Sequence, residues 1–94
     1  MGATWKPVKG FEGQYEVSDN GKVRSRKTGH YRQLKTRHNN KTGYDFLILH
    51  GDGNPTTKTV HRLVAEAFLP NPNGLPYVNH KNEVKTDNRA SNLE

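Results

Sequence analysis

The stretch YEVSDNGKVRS, residues 15–25, determines how the first half of the chain folds. Tyr15 and Val17 precede the sequence Asp-Asn-Gly and Val23 follows it, so apolar and polar side chains alternate on both sides of that tripeptide. Asn-Gly supports the positive backbone φ angles of a tight hairpin turn, and it is the strongest short-range hairpin signal when alternating runs flank it. We therefore predict an antiparallel hairpin that turns at residues 19–21.

Two segments further along the chain have the patterns of a strand and of a helix. YDFLILHG, residues 44–51, is the most apolar run and predicts a central strand, closed by a turn rich in glycine and proline. TTKTVHRLVAEAFL, residues 56–69, begins with β-type residues and then shows helical spacing. Pro70 predicts the end of that helix. The residues that recur at the spacing of one helical face are Leu63, Val64, Ala67 and Phe68.

Composition restricts the class of protein before any motif is considered. A chain of 94 residues forms at most one domain, and with 30% hydrophobic residues its core must be small. Cysteine is absent, which excludes disulfides and cysteine-based zinc sites and agrees with a reducing, intracellular environment. No apolar run approaches the length of a signal peptide or a membrane span, so we expect a soluble protein without a membrane partner.

The charge of the chain is concentrated in one block. The formal net charge is +6 and the pI about 9.8, and residues 20–44 contain no acidic residue. Such a block can be an ordinary solvated face, but within a foldable segment it favours a polyanionic partner, and double-stranded DNA is the leading candidate. The predicted DNA-binding residues are Lys22, Arg24, Arg26, Lys27, Arg32, Lys35, Arg37 and Lys41.

Several motifs, taken in the order in which they occur, resemble a known family. WKPVKGFEGQYEVSDNGKVRS, residues 5–25, resembles the NUMOD4-like N-terminal motif of phage and intron-encoded HNH homing endonucleases. Three later motifs resemble the HNH nuclease segment of the same enzymes: VHRLVAEAF at residues 60–68, VNHKN at residues 78–82 and NRASNLE at residues 88–94. Each motif alone is weakly specific, but the ordered set covers nearly the whole chain.

The resemblance implies a fold and a division of the chain. The fold class is α+β, with a small N-terminal antiparallel β-sheet followed by a helix and an incomplete ββα-metal (HNH) motif. Residues 1–58 are expected to form a β-rich DNA-contacting region, and residues 59–94 an HNH nuclease region that lacks its final helix. That helix, with the third residue of the HNH signature, is expected beyond Glu94.

The resemblance also implies the catalytic residues and the cofactor. His80 corresponds to the first histidine of the signature and is expected to act as general base, and histidine is the side chain that ordinarily titrates near neutral pH. Asn92 corresponds to the central asparagine and is expected to organise the catalytic loop. Asn79 is expected to bind a divalent metal, Mg²⁺ or alternatively Mn²⁺, although some relatives carry aspartate there and an amide binds the metal more weakly.

Two other polar residues are interpreted as structural. His61 is interpreted as a satisfied core or capping histidine that packs the nuclease region against the sheet. Asn88 is interpreted as an ordinary turn residue.

Two functional classes remain open on the sequence. The first is a metal-dependent DNA endonuclease that nicks or cuts double-stranded DNA as a monomer, in the cytoplasm of a bacterial or phage-infected cell. The second is a non-catalytic DNA-binding module or regulator derived from an HNH nuclease. An RNA-binding sheet is disfavoured, because the chain lacks the aromatic-rich run of such sheets.

Overall fold

The computed structural model describes residues 3–26, 30–51, 53, 55–70 and 78–94. No helix in these residues is long and apolar enough to span a bilayer. The described elements confirm the α+β class. They are β1 (Trp5–Pro7), β2 (Tyr15–Ser18), β3 (Val23–Ser25), β4 (Arg32–Gln33), β5 (Arg37–His38), β6 (Asp45–Leu49), β7 (Thr56–Thr59), α1 (Val60–Phe68) and a single 3₁₀ turn (Ala90–Asn92).

The first sheet is built around the hairpin predicted from residues 15–25. Strands β1 to β4 are antiparallel and lie in chain order, and Val17 of β2 pairs with Val23 of β3. Both valines are buried, whereas Glu16 points to the other face. Gly21 in the turn has a φ of +86°, a value that favours glycine. The predicted hairpin is confirmed.

The second sheet contains strands β5 to β7, also antiparallel, with β6 in the centre. The predicted central strand is therefore confirmed, but the N-terminal β-structure is divided into two sheets rather than forming one. The division follows Leu34, whose backbone N–H donates to the Val23 carbonyl and makes the last bond to the first sheet. Three residues later Arg37 pairs with Phe46 in the second sheet.

Helix α1 packs against strands of both sheets and against the 3₁₀ turn. Its predicted apolar face is confirmed, because Leu63 and Val64 are buried and Ala67 and Phe68 pack against the core. The helix ends at Phe68, two residues before Pro70, as predicted. The fully buried core residues come from every part of the chain: Val8, Val17, Val23, Leu49, Val60, Val64 and Leu93. The helix thus joins the two sheets and the C-terminal segment in one core.

The C-terminal segment closes on itself to form the closed loop, residues 79–94. Asn79 and Glu94 exchange two backbone hydrogen bonds of 3.0 Å each, and the Lys81 N–H donates to the Asn92 carbonyl at 2.7 Å. His80 and Leu93 form an isolated antiparallel bridge rather than part of a regular strand. Because Leu93 lies in the core, the bridge fixes the position of His80 relative to the rest of the fold.

Candidate active site

His80 is held at the start of the closed loop by a hydrogen bond that its imidazole donates to Asn88. The Nε2 atom lies 2.9 Å from Oδ1 of Asn88, which is itself buried. An amide oxygen can only accept, so Nε2–H donates and the neutral imidazole carries its lone pair on Nδ1. His80 also lines an open pocket of about 460 Å³. The interpretation of Asn88 as an ordinary turn residue is therefore incomplete, because its side chain fixes the tautomer of His80.

Asn92 connects the two sides of the closed loop. Its Nδ2 donates to Oδ1 of Asn82 and to the Asp87 carbonyl, both at 2.9 Å, and its Oδ1 accepts from the Asn82 N–H at 3.2 Å. The side chain is 7% exposed, so these bonds replace contacts with water. These bonds connect the two sides of the closed loop, and the predicted role of Asn92 as organiser of the catalytic loop stays a prediction.

Hydrogen bonds within the closed loop occupy the Asp87 carboxylate, so it is not available as a metal ligand. Arg89 donates to both of its carboxylate oxygens at 2.7 Å, and Nδ2 of Asn82 donates to one of them at 2.8 Å. The hydrogen bonds from Arg89 lower the pKa of Asp87 to about 2. The carboxylate is therefore charged at every pH at which the protein would act.

The first sheet supports the closed loop from behind. The Ala90 N–H donates to the Asp19 carbonyl at 2.7 Å. A Cβ added to Gly21 would lie 3.1 Å from the Cβ of Asn88 and 3.2 Å from its carbonyl oxygen. The predicted hairpin turn is thus in close contact with the residue that holds His80, and glycine is needed there for space as well as for φ.

His61 lies in the first turn of α1 and contacts the candidate base. The centroid of its ring is 5.1 Å from that of His80 and 4.5 Å from that of Tyr44. His61 is buried as expected, but its Nδ1 has no hydrogen-bond partner among the described residues, so it is not a satisfied core histidine. Burial, followed by the charges of His80 and Arg62, lowers the pKa of His61 to about 4. His61 is therefore neutral at physiological pH.

Asn79, the predicted metal ligand, is exposed at the rim of the same pocket. Its hydrogen-bonded partner across the closed loop is Glu94, and residues paired in this way place their side chains on one face. Glu83 also lines the pocket. No group of three or more histidine, aspartate or glutamate side chains suited to a metal occurs in the described parts of the chain. The metal-ligand role of Asn79 therefore stays a prediction.

The predicted DNA-binding residues extend over both sheets, and six of the eight are exposed. Arg24 is only partly exposed, and Lys27 lies outside the described residues. The exposed six run from the β2–β3 turn to the β5–β6 turn: Lys22, Arg26, Arg32, Lys35, Arg37 and Lys41. We call these six residues the basic face. Lys22 and Lys35 line a cleft of about 390 Å³ that Asn88 also lines, so the basic face reaches the closed loop.

Arg24 is engaged within the protein. Its guanidinium lies between the rings of Trp5 and Tyr31, 4.0 Å and 3.8 Å from their centroids. Its Nε and Nη2 donate to Oε1 of Glu16 at 2.9 Å and 2.7 Å. Arg24 therefore stabilises the first sheet, and we expect it to contribute less to DNA binding than its exposed neighbours.

Replacing Arg24 with alanine is expected to lower the free energy of unfolding by about 2 kcal/mol, because the change removes two charge-assisted hydrogen bonds and two cation–π contacts. Arg26→Ala is the matched control, since Arg26 is more exposed and lies 3.8 Å from Glu16. We expect it to change stability by less than about 0.5 kcal/mol. Urea denaturation of the two variants measures the difference, and equal losses would contradict the structural role of Arg24.

Comparison with known proteins agrees with these features. The NUMOD4 motif matches residues 4–50, half of the chain. An uncharacterized HNH endonuclease of Acanthamoeba polyphaga mimivirus is 38% identical over 94 residues, which are 100% of this chain and 27% of the viral protein. DNA endonuclease I-HmuI of Bacillus phage SP01 is 40% identical over 89 residues, covering 95% of this chain and 49% of the phage protein.

A solved structure shows the same fold. It is described as DNA binding and cleavage by the HNH homing endonuclease I-HmuI, and it matches with a TM-score of 0.83 and 41% identity. The match covers 96% of this chain and 50% of the solved one. The chain thus spans half or less of the length of these relatives.

Proposed function

The chain belongs to the NUMOD4-motif family of HNH homing endonucleases, and from this we propose that it supplies the DNA-contacting face and the catalytic base of a metal-dependent DNA endonuclease. The observation that carries the proposal is the position of His80. Its imidazole is fixed by Asn88 at the edge of an open pocket, in a loop that packs against a sheet with a basic face.

The chemistry assigned to His80 is the removal of a proton from water. With Nε2–H donated to Asn88, the Nδ1 lone pair accepts the proton while the resulting hydroxide attacks the phosphorus of the scissile phosphate. The bond from phosphorus to the leaving sugar oxygen breaks, and that oxygen takes a proton from solvent. Asn88 then stabilises the imidazolium, because Nε2–H donates in both protonation states. Neutral His61 beside it adds no opposing charge.

A divalent metal fits the donors on the pocket side of the closed loop. Asn79 and the opposing Glu94 offer hard oxygen donors, and Mg²⁺ takes few protein ligands because it retains several waters and binds phosphate oxygens. When bound, the metal supplies positive charge to the phosphate and to the leaving oxygen. Mn²⁺ accepts the same donors.

Removing the metal with a chelator is expected to abolish nicking and to leave duplex binding intact.

The basic face is proposed to hold double-stranded DNA by its phosphates. Six exposed cations in the strands and connections of the two sheets suit a polyanion, and contacts of this kind position a protein without reading sequence. Strands of this size also fit the major groove of DNA, where one or two arginines could read guanine edges. We propose that the protein acts on DNA as a monomer in the cytoplasm of a bacterial or phage-infected cell.

DNA affinity is expected to depend strongly on salt. With ~6 phosphate contacts, log K against log salt concentration should have a slope of about −5. Arg37→Ala combined with Lys41→Ala should reduce the slope by about 2, because two phosphate contacts are lost. Lys9→Ala, an exposed lysine outside the basic face, is the matched control. Fluorescence anisotropy at several salt concentrations gives the slopes, and a slope near zero would exclude the basic face as the DNA contact.

Cleavage itself is tested with the full gene product, supercoiled plasmid and Mg²⁺. Conversion of the supercoiled plasmid to open circle, if it stops when the Mg²⁺ is chelated, supports the proposed metal-dependent endonuclease. Duplex binding without any nicking, at every metal tried, would instead support a DNA-binding module or regulator built on the HNH scaffold.

A further inference from the structure

The β5–β6 hairpin, residues 37–49, reaches the closed loop through its turn. The turn is compact, since the Gly43 N–H donates to the Asn39 carbonyl at 2.7 Å and the Asn39 N–H donates to the Tyr44 carbonyl at 3.0 Å. Lys41 of the basic face projects from this turn, and Arg37 lies on its first strand. The same short hairpin therefore carries two proposed DNA contacts and, at Tyr44, a contact with the catalytic site.

Tyr44 packs directly against the candidate base. Its ring is 5.9 Å from that of His80 with an interplanar angle of 23°, and 4.5 Å from that of His61. His61 and His80 are also in contact, so each of the three rings touches the other two. Centroid distances of 4.5 to 7 Å are those of favourable aromatic pairs. The hydrogen bond that His80 donates to Asn88 fixes rotation of the His80 ring, and the two neighbouring rings fix its plane.

Lys85 of the closed loop binds back to the hairpin turn. Its Nζ donates to the Thr42 carbonyl at 2.9 Å and lies 5.0 Å from the centre of the Tyr44 ring. A Cβ added to Gly43 would lie 3.0 Å from the Cδ of Lys85, so the aliphatic part of the lysine side chain lies against the turn. Two contacts thus link the hairpin to the closed loop. The Tyr44 ring of the hairpin contacts His80, and the Lys85 ammonium group of the closed loop contacts the hairpin backbone.

We propose that Tyr44 is a positioning residue for His80, and that Tyr44 and Lys85 together set the orientation of the imidazole relative to DNA seated on the β5–β6 hairpin. The inference rests on the proposed endonuclease function and deepens it. The same hairpin carries Arg37, Lys41 and the Tyr44 ring that contacts His80, so DNA phosphates held by the two cations have a defined position relative to the base. Tyr44 contributes its ring and not its hydroxyl, so phenylalanine replaces it and leucine does not.

The test separates DNA affinity from the rate of the bound complex in the full gene product. Tyr44→Leu is expected to lower the single-turnover nicking rate at saturating protein about 10- to 100-fold, because small displacements of a catalytic group have large effects on rate. The Kd for duplex DNA should change less than about twofold, since Tyr44 is not part of the basic face. Tyr44→Phe is the matched control and should retain at least about half of the rate.

Lys85→Ala tests the link without altering the rings, and it decides the matter if Tyr44→Leu does not fold. Its saturating rate should fall at unchanged Kd. A wild-type rate for Lys85→Ala, or a loss for Tyr44→Leu that is confined to DNA affinity, overturns the inference. His80→Ala run alongside separates the two proposals. If His80→Ala is inactive while Tyr44→Leu is normal, only the positioning role fails, and if His80→Ala nicks normally, the proposed function fails.

Discussion

Replacing His80 with alanine is expected to lower the single-turnover rate of DNA nicking by about 10² to 10⁴-fold, the range that a positioned general base contributes. The change removes the group that we propose takes the proton from the attacking water, and it leaves the basic face intact. DNA affinity should therefore stay within about twofold of the wild-type value, because phosphate contacts dominate affinity. Rapid-quench measurement at saturating protein, with anisotropy titrations on the same preparations, gives both quantities.

The matched control for this variant is His50→Ala. His50 is an exposed histidine whose backbone N–H and carbonyl bond to the hydroxyl of Tyr15, and alanine keeps both bonds. Its nicking rate should equal that of the wild type. A His80→Ala rate equal to that of His50→Ala would show that this imidazole takes no part in the chemistry.

Replacing Asn92 with alanine is the second change with a large expected effect. The variant loses three hydrogen bonds and leaves the Asp87 carbonyl and the Asn82 N–H without the partner they have now. We expect the free energy of unfolding to fall by about 3 kcal/mol and the nicking rate to fall about 100-fold, because the loop no longer fixes His80. Thermal denaturation and the single-turnover assay measure the two losses.

Two further variants distinguish a loop organiser from a general loss of side-chain contacts. Asn92→Asp keeps an acceptor for the Asn82 N–H but places a carboxylate oxygen where Nδ2 donated, so it should be nearly as damaging as alanine. Ser91→Ala changes the exposed neighbour and should be neutral. An Asn92→Asp variant with wild-type stability and activity would contradict the hydrogen-bond pattern described above.

The parts of the fold that the sequence predicted are those that local rules control. Asn-Gly at residues 20–21 required a tight turn, the apolar run at residues 44–51 suited a central strand, and the spacing of Leu63 to Phe68 suited a helix that Pro70 would end. Each of these depends on residues close in the chain, and each is confirmed. The division into two sheets was not predicted. Leu34 hydrogen-bonds to Val23 and Arg37 pairs with Phe46, and no local sequence pattern indicates pairings between residues so far apart in the chain.

The candidate site was predicted only where a motif named a residue. His80 and Asn92 came from the resemblance, and the structure places both in one closed loop. Asn88 and Tyr44 were not assigned to the site. Tyr44 lies 36 residues from His80 in the chain, a separation (80 − 44) that no local pattern bridges. Asn88 lies within the resemblance, but its type also suits an ordinary turn, so only the contact with His80 distinguishes the two roles.

Charge alone does not distinguish Arg24 from the other members of the basic block. Arg24 has the same sign and the same sequence surroundings as the exposed cations, yet Trp5, Tyr31 and Glu16 surround its guanidinium. Those partners come from other strands and their connections, so the sequence pattern around Arg24 could not indicate them. Net charge therefore located the face that we propose for DNA, while the structure identified which of its cations are available.

The proposed role of His80 as catalytic base is tested by a supercoiled-plasmid nicking assay with Mg²⁺ on the full gene product and on its His80→Ala variant, with duplex binding measured on both. We expect the wild type to convert plasmid to open circle, and the variant to bind DNA equally well but to leave the plasmid supercoiled. Equal nicking by the two proteins would contradict the assignment of His80 as the catalytic base.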